Sequence, residues 1–336
     1  MHHWEKLNLK CYIEKRVDTV SVKEYFEKAG GLSLLKQYLR NGVFFTAGAE
    51  VVLLGFSKKS LEQMRIVVQN KVCRKLYKKY DSFARSFCAA WDTNVPHEQC
   101  KKVWVCWLQG IENAPLLVQR CYESYKTYMS DREIVVLTED NIKDYVEFPG
   151  YIMEKYKKGI ITRTHFSDLL RAELLSRYGG TWMDATVLCT GANIPEYMLD
   201  SELFFFQQLK PGADGKELRM SSWMISAYSN HPIMALTRAL LYEYWKTHDY
   251  MMDYFLFHAF VTMACSYYEK EYKEIVDASN SIPHILLLRF FEKFDEKRWE
   301  YMKQATPFHK LSYKFDEKQM DKRNTYYDEI IVKNRK

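Results

Sequence analysis

The sequence predicts an α/β fold: a mixed or mainly parallel sheet flanked by helices and preceded by a helical region. Lys102–Leu108 and Ile134–Leu137 are short runs rich in β-formers, and the helical segment Leu116–Tyr128 separates them. Strands that alternate with helices of this size are typical of sheets covered by helices on both faces. Residues 1–98 instead show apolar and basic positions at helical spacing, without a convincing strand.

The later part of the chain continues the alternation. Leu203–Phe206 and Trp223–Ala227 are predicted strands, and His231–Trp245 and Asp253–Tyr268 are predicted helices. We therefore expect a helical region over residues 1–98, an α/β domain over 99–315 and a polar, partly disordered tail over 316–336. Because sheets of this kind bind ligands at the carboxyl ends of their strands, a site is expected at those ends.

The net charge of +6 over 336 residues is concentrated in one stretch. Residues 58–102 carry 11 basic and 4 acidic side chains. Such a stretch favours phosphates or anionic lipid headgroups, although a solvated helix face has the same pattern. No nucleic-acid-binding motif accompanies it, so no nucleic-acid partner is expected.

The cysteines and the apolar runs point to the cytoplasm. Eight scattered cysteines without a C-x-x-C spacing indicate buried thiols rather than a zinc module or a disulfide scaffold. The first residues are polar and charged, unlike a signal peptide. Val43–Phe56, the most apolar early run, has 14 residues and contains Glu50, whereas a membrane span requires about 20 apolar residues.

The segment from Thr162 to Thr190 contains most of the candidate site residues. Thr164 or Ser167 is a candidate helix cap, and Gly179-Gly180 ends that helix. Asp168 and Arg171 share a face of its first turns, where free N–H groups favour a phosphate or a sugar hydroxyl. An ordinary surface ion pair is the alternative.

An apolar strand follows the glycines. Period-two alternation places Trp182, Asp184 and Thr186 on one side of it. A carboxylate within such a strand is costly to bury unless it is paired or binds a metal. Asp184 is therefore a candidate site residue, and the alternative is an aspartate that caps a loop.

These residues form a recognisable block. SDLLRAELLSRYGGTWMDAT resembles the nucleotide-sugar motif of GT-A glycosyltransferases related to family 32, and it is most similar to bacterial capsular polysaccharide synthesis proteins. KKVWVCWLQG, NAPLLVQRCYESY, DYFLFH and FHKLSYK resemble further blocks of that family in the same order. The resemblance spans roughly residues 100–315 and implies a GT-A-like, Rossmann-type domain.

The resemblance implies a role for each matching residue. Trp107 would stack on the nucleotide base, which is uracil if the donor is a UDP-sugar; Trp104 and Trp107 could equally be core residues. Asp168 would hold the donor-sugar hydroxyls, and Arg171 would contact the sugar or its phosphate. Trp182, which matches the aromatic before the metal motif, would also contact the donor.

The metal and diphosphate positions follow in the same way. Asp184 matches the first aspartate of the metal motif, but Thr186 stands in place of the second, and the chain has no D-x-D. The resemblance implies Asp184, Thr186 and His309 as ligands of Mn²⁺ or Mg²⁺, and Lys310 and Lys314 as cations for the diphosphate. A hydroxyl is a weaker ligand than a carboxylate, so the metal would depend mainly on Asp184 and the donor.

Two residues are candidates for the acceptor. Asp253 and His258 could face it, or belong to a helix whose other side contributes to the core. The resemblance implies a retaining, metal-assisted hexosyltransferase that moves a sugar from a nucleoside-diphosphate donor, expected to be a UDP-sugar, to a growing cell-surface or capsular glycan. The acceptor would be a glycan or a lipid-linked glycan, in the cytoplasm or at the inner membrane face. The alternatives are a sugar-phosphate transferase and a non-catalytic module that binds nucleotide-sugar or membrane.

Overall fold

The chain divides into two compact units in the computed structural model, which describes residues 31–55, 57–92, 94–209 and 218–335. The first, here called the helical unit, comprises the described residues up to Asp81 together with Met252–Tyr254. The second, the sheet unit, comprises Ser82–Met251 and the chain from Phe255 onwards.

The helical unit contains α1 (Gly31–Arg40), α2 (Phe44–Leu54) and the first part of α3 (Lys58–Ala90). The carbonyl of Met252 accepts hydrogen bonds from Gln37 Nε2 at 3.1 Å and from Asn41 Nδ2 at 2.6 Å, which joins the 252–254 segment to the helices. The predicted helical region is thus confirmed for its described part. Within the described ranges, no helix has the length and hydropathy needed to cross a bilayer.

The sheet unit follows the predicted alternation of strands and helices. Its strands are β1 (Lys102–Cys106), β2 (Glu133–Leu137), β3 (Gly180–Met183), β4 (Val187–Cys189), β5 (Leu203–Gln207), β6 (Met220–Ala227) and β7 (Phe308–Lys310). After the end of α3, its helices are α4 (Leu116–Tyr128), α5 (Ile142–Tyr145), α6 (Gly150–Lys157), α7 (Arg163–Arg177), α8 (Glu196–Leu199), α9 (Pro232–Thr247), α10 (Leu256–Tyr267), α11 (Glu269–Lys273), α12 (Ile285–Arg289), α13 (Glu296–Ala305) and α14 (Glu317–Met320).

The five-stranded sheet has the order β2-β1-β3-β6-β5. β2, β1 and β3 are parallel, and β6 runs antiparallel to both β3 and β5. The predicted α/β class with a mixed sheet flanked by helices is confirmed. Because β1 and β3 are parallel neighbours, Trp107 and Asp184 follow strands that end at the same edge of the sheet.

A smaller sheet continues from that edge. β4 and β7 pair antiparallel, with Val187 opposite Lys310 and Leu188 opposite His309. This pairing brings the C-terminal block of the chain to the residues that follow Asp184.

The tail is ordered over residues 316–335, contrary to the expectation of partial disorder. It contains α14 and a π-helix at Tyr327–Val332, in which Ile331 is fully buried. Tyr326, directly before the π-helix, is also fully buried in the core under the sheet. Apolar residues spaced among the charges of the tail explain why it packs rather than remaining solvated.

The glycine pair before β3 is required by close backbone approach. Gly179 and Gly180 have φ angles of 72° and 89°. A Cβ on Gly180 would lie 2.5 Å from the carbonyl oxygen of Lys102. The Gly179 carbonyl accepts a hydrogen bond of 2.9 Å from Trp104 Nε1, so the turn is fixed to the centre of the sheet by a buried side chain.

Replacing Gly180 by alanine should destabilise the protein by about 2 kcal/mol or more, because the new methyl group meets backbone and the positive φ disfavours an L side chain. Urea denaturation of the variant measures the loss. Gly191→Ala is the matched control, since a Cβ there meets nothing within 4 Å. Equal stability of the two variants would contradict the close approach of the backbone.

Candidate active site

The helix that precedes β3 starts earlier than the sequence suggested. Thr162, rather than Thr164 or Ser167, caps α7: its Oγ1 accepts the backbone N–H of His165 at 3.2 Å. Most residues of α7 are buried. Asp168 and Arg171 are consequently interior groups, 6% and 4% exposed, and the surface ion pair considered as an alternative is excluded.

Asp168 is held by a chain of hydrogen bonds that begins at Trp245. The indole Nε1 of Trp245 donates to His165 Nε2 at 3.0 Å. An indole nitrogen can only donate, so His165 Nε2 is an acceptor and the ring carries its proton on Nδ1. That Nδ1 lies 3.2 Å from Asp168 Oδ2, to which it donates. Trp245 thereby fixes the tautomer of His165, and His165 fixes the carboxylate.

The other carboxylate oxygen of Asp168 faces Arg171. Arg171 Nη2 lies 3.5 Å from Asp168 Oδ1. Burial alone would raise the pKa of Asp168, but Arg171 and the His165 hydrogen bond outweigh it, so its pKa lies below the ordinary value of 3.8. Asp168 is therefore an anion held for positioning rather than an acid that exchanges protons near neutral pH.

Arg171 links Asp168 to Asp184. Its guanidinium lies over the ring of Trp182 at 4.7 Å and near that of Phe257 at 5.6 Å. One nitrogen donates to the carbonyl of Ser222, and Nη2 lies 3.4 Å from Asp184 Oδ1. Aromatic rings and a backbone carbonyl therefore fix the plane of this cation.

Asp184 directly follows β3 and is fixed at both its backbone and its side chain. Its N–H donates to the Trp223 carbonyl at 2.8 Å, and its carbonyl accepts from the Tyr125 hydroxyl at 3.1 Å. Trp182 Nε1 donates to Oδ1 at 3.1 Å. The side chain is 29% exposed, so this carboxylate can be reached from solvent.

Lys310 completes the surroundings of Asp184. Its Nζ lies 3.3 Å from Asp184 Oδ2 and donates to Thr186 Oγ1 at 2.5 Å. The side chains of Asp168, Arg171, Asp184 and Lys310 thus form a row of alternating charge. The row runs from the interior to the partly exposed edge of the sheet and ends in a cation.

His309 is not brought to this row. Side chains alternate along a strand, and His309 has its partners elsewhere: Thr190 Oγ1 lies 3.1 Å from its Nε2, and its ring lies 5.6 Å from that of Trp299. It is 1% exposed, and burial lowers its pKa to about 3. The predicted ligand set of Asp184, Thr186 and His309 is not assembled in this structure.

The remaining donor set does not fit a metal site built by the protein alone. Asp184 and Thr186 contribute one carboxylate and one hydroxyl, and the ammonium of Lys310 already binds both. No group of three or more His, Cys, Asp or Glu residues suited to a metal occurs in the part of the chain that the structure describes. An ammonium group thus occupies the place between Asp184 and Thr186 at which the sequence predicted a divalent ion.

Trp182 and Trp107 have different surroundings. Trp182 is 1% exposed, and its visible role is to hold Asp184 and to underlie Arg171. Its predicted contact with the donor has no support in this placement.

Trp107 is half-buried after β1, and its ring meets the ring of Tyr313 edge-on at 5.4 Å. One aromatic pair therefore lies at the carboxyl end of β1.

Lys314 and the two acceptor candidates are also placed. Lys314 is exposed, with its Nζ 5.6 Å from the Tyr313 ring. Burial lowers the pKa of His258 to about 4. The nearby carboxylates of Asp168 and Asp184 oppose this shift, and Arg171 adds to it. Its Nδ1 is buried without a hydrogen-bond partner among the described residues. Asp253 belongs to the helical unit.

Several groups of the site escape sequence reasoning. Trp245 lies in none of the recognised blocks, and Tyr125 and Phe257 lie in blocks for which the resemblance implied no role of these two residues. The spacing of three residues between His165 and Asp168 on a helix was the one available signal. Two clefts, of about 640 and 400 Å³, lie elsewhere on the sheet unit and include none of the predicted site residues.

Comparison with known proteins assigns this α/β chain to a family. The chain belongs to the family of capsular polysaccharide synthesis proteins, whose model matches residues 54–330. The predicted membership of the capsular polysaccharide synthesis family is thereby confirmed, whereas the GT-A type and the relation to family 32 stay predictions.

Two individual proteins are similar to parts of the chain. The O-glycosyltransferase braB of Annulohypoxylon truncatum is 33% identical over 107 residues, which cover 29% of this chain and 25% of that protein. The chain thus spans about a quarter of that relative's length. The solved structure of PaToxG Glycosyltransferase is 14% identical with a TM-score of 0.35, and the match covers 77% of this chain and 95% of that one.

Replacing Asp168 by asparagine should change how stability depends on pH. The lowered pKa of Asp168 means that its charge stabilises the folded state above the unfolded value of about 3.8, and that this contribution is lost as the pH falls through the lower folded value. We expect wild type to be more stable than Asp168→Asn at pH 7, and the difference to shrink below pH ~4.

Urea denaturation from pH 7 to pH 3 measures that difference. Asp140→Asn, on an exposed turn, is the control for loss of one carboxylate. A stability difference that stays constant over this range would show that Asp168 is not held as an anion.

Proposed function

We propose that this chain is a glycosyltransferase that moves a sugar from a nucleoside diphosphate, a UDP-sugar in the first instance, to a hydroxyl of a growing capsular or other cell-surface glycan. Family membership and the name of the O-glycosyltransferase relative support the transferase class. The observation that carries the proposal is the pairing of the partly exposed Asp184 with the cations Arg171 and Lys310 at the carboxyl edge of the sheet.

The two cations suit a departing diphosphate. In the transfer, the bond between the anomeric carbon and the diphosphate oxygen breaks, and its electron pair leaves with the diphosphate. The acceptor oxygen bonds to the anomeric carbon, and its proton passes to the departing phosphate. Fixed positive groups at the developing negative charge lower the barrier, because they need no reorganisation during the reaction.

The remaining residues position the donor. Trp107 and Tyr313 offer aromatic surface for the base, and stacking of a base on such a ring contributes about 1–3 kcal/mol. Asp184 is available to ribose or sugar hydroxyls through its exposed part. Asp168 orients Arg171 through their ion pair. We propose retention of the donor's anomeric configuration, by analogy with the related families.

Mn²⁺ or Mg²⁺ was expected from the resemblance, and no step of this proposal passes through either ion. The ammonium of Lys310 between Asp184 and Thr186 already supplies positive charge at the predicted metal position. We therefore expect sugar transfer to continue when divalent ions are removed with EDTA. Strict dependence on Mn²⁺ would mean that Lys310 moves aside for the ion.

The first experiment is a donor panel assayed for transfer and hydrolysis, with Mn²⁺ and with EDTA. We expect one nucleotide-sugar to be turned over, and Asp184→Asn to lower kcat by about 10²-fold, because the carboxylate that pairs with Arg171 and Lys310 would no longer position them. Nucleotide-sugar binding without turnover would favour a non-catalytic module, and a phosphodiester product would indicate a sugar-phosphate transferase.

Lys310→Met should lower kcat by a similar factor, because a cation beside the leaving group is lost while the aliphatic stem is kept. Lys318→Met, at an exposed lysine of α14, is the matched control and should retain wild-type kcat. Lys314→Met tests the remaining predicted diphosphate cation. Unchanged turnover in Lys310→Met would remove Lys310 from the site.

A further inference from the structure

α2 in the helical unit has its apolar side facing outwards. The exposed positions Phe45, Gly48, Ala49, Val52 and Leu53 recur at the three- and four-residue spacing of one helix face. Phe45 is 87% exposed, Val52 84% and Leu53 76%. This face has no polar side chain, whereas an ordinary surface helix presents polar groups to water.

The polar residues of α2 lie away from that face. Thr46 and Glu50 are half-buried, and Thr46 Oγ1 accepts a hydrogen bond of 2.5 Å from Lys71 Nζ on α3. α2 does contain polar residues, but the contact with α3 turns one of them away from solvent and leaves the apolar face outside. A face of this kind is suited to an apolar partner.

The other helices of the helical unit also carry exposed apolar and basic groups. On α1, Leu32, Lys36 and Leu39 are exposed along one face, with Leu32 at 79% and Leu39 at 59%. On α3, Ile66 is 46% exposed, and Arg74 and Lys78 are exposed one turn apart. The described residues of the unit contain ten Lys or Arg and four Asp or Glu.

This combination identifies the partner by its chemistry. Exposed apolar side chains favour a hydrocarbon phase or another apolar face, and the excess of basic residues in the unit favours an anionic partner. An anionic bilayer provides both, whereas a second copy of this basic unit would be repelled by its charge. α2 has 11 residues, about half of what a membrane span needs, so it would lie in the interface.

We propose that the helical unit docks on an anionic membrane surface, with the face formed by Phe45, Gly48, Ala49, Val52 and Leu53 buried among the lipid chains and the basic side chains of α1 and α3 at the headgroups. This inference deepens the proposed function and rests on it, because a lipid-linked acceptor resides in such a surface. The docking itself does not depend on the reaction.

Flotation of the full chain with vesicles tests the proposal. We expect the protein to float with vesicles of phosphatidylcholine and phosphatidylglycerol and to bind pure phosphatidylcholine more weakly, by about tenfold or more. Phe45→Glu with Val52→Glu should lower the partition coefficient about tenfold or more, because two charges would enter the apolar layer. Arg74→Glu with Lys78→Glu should remove the preference for anionic vesicles.

Two controls keep the outcomes distinct. Leu288→Glu, at a 76% exposed position on α12 of the sheet unit, should leave flotation unchanged. Phe45→Trp with Val52→Leu keeps the face apolar and should retain binding, so a loss confined to the glutamate variant is not a folding defect. Donor turnover, measured without vesicles, should be equal in all of these proteins.

The contrary outcomes are equally clear. Wild type that stays at the bottom of the gradient with both vesicle types overturns the proposal. Equal binding to neutral and anionic vesicles overturns the role of the basic residues. A wild-type dimer in light scattering that Phe45→Glu with Val52→Glu converts to a monomer, without vesicle binding, assigns the face to a second copy. Failure of the transferase proposal would appear only as absent turnover.

Discussion

The row of alternating charges from Asp168 through Arg171 and Asp184 to Lys310 is the constraint on which the candidate site depends. Charged groups are costly to bury, and each member of this row is accepted in the interior because its neighbour neutralises it. Trp245 and His165 hold the inner end, and Lys310 forms the outer end. The row contains two anions and two cations, so removal of any one member leaves it with a net charge.

The sheet brings the members of this row together. The parallel pairing of β1 with β3 places Trp107 and Asp184 at one edge, and the antiparallel neighbour β6 supplies the carbonyls of Ser222 and Trp223 that fix Arg171 and Asp184. The glycine turn before β3 permits the required approach of the backbone to Lys102. Successive side chains of β7 point to opposite faces of the strand. His309 therefore contacts Thr190 in the interior, whereas Lys310 reaches Asp184 in the candidate site.

The two units have contrasting surfaces. The sheet unit buries its charged groups in pairs, whereas the helical unit exposes apolar groups among unbalanced positive charge. In the first case the interior provides each charge with a partner. In the second case the described residues of the unit leave the apolar face of α2 exposed.

The sequence by itself determined the α/β class, the family, and the positions of Asp168, Arg171 and Asp184, because strand alternation, helix spacing and an ordered set of motifs are all local patterns along the chain. Only the tertiary structure decided that Thr162 caps α7, that Trp245 sets the tautomer of His165, and that the cation beside Asp184 and Thr186 is Lys310. These contacts join residues up to 124 positions apart. Their geometry depends on strand register and helix packing, which no local pattern encodes.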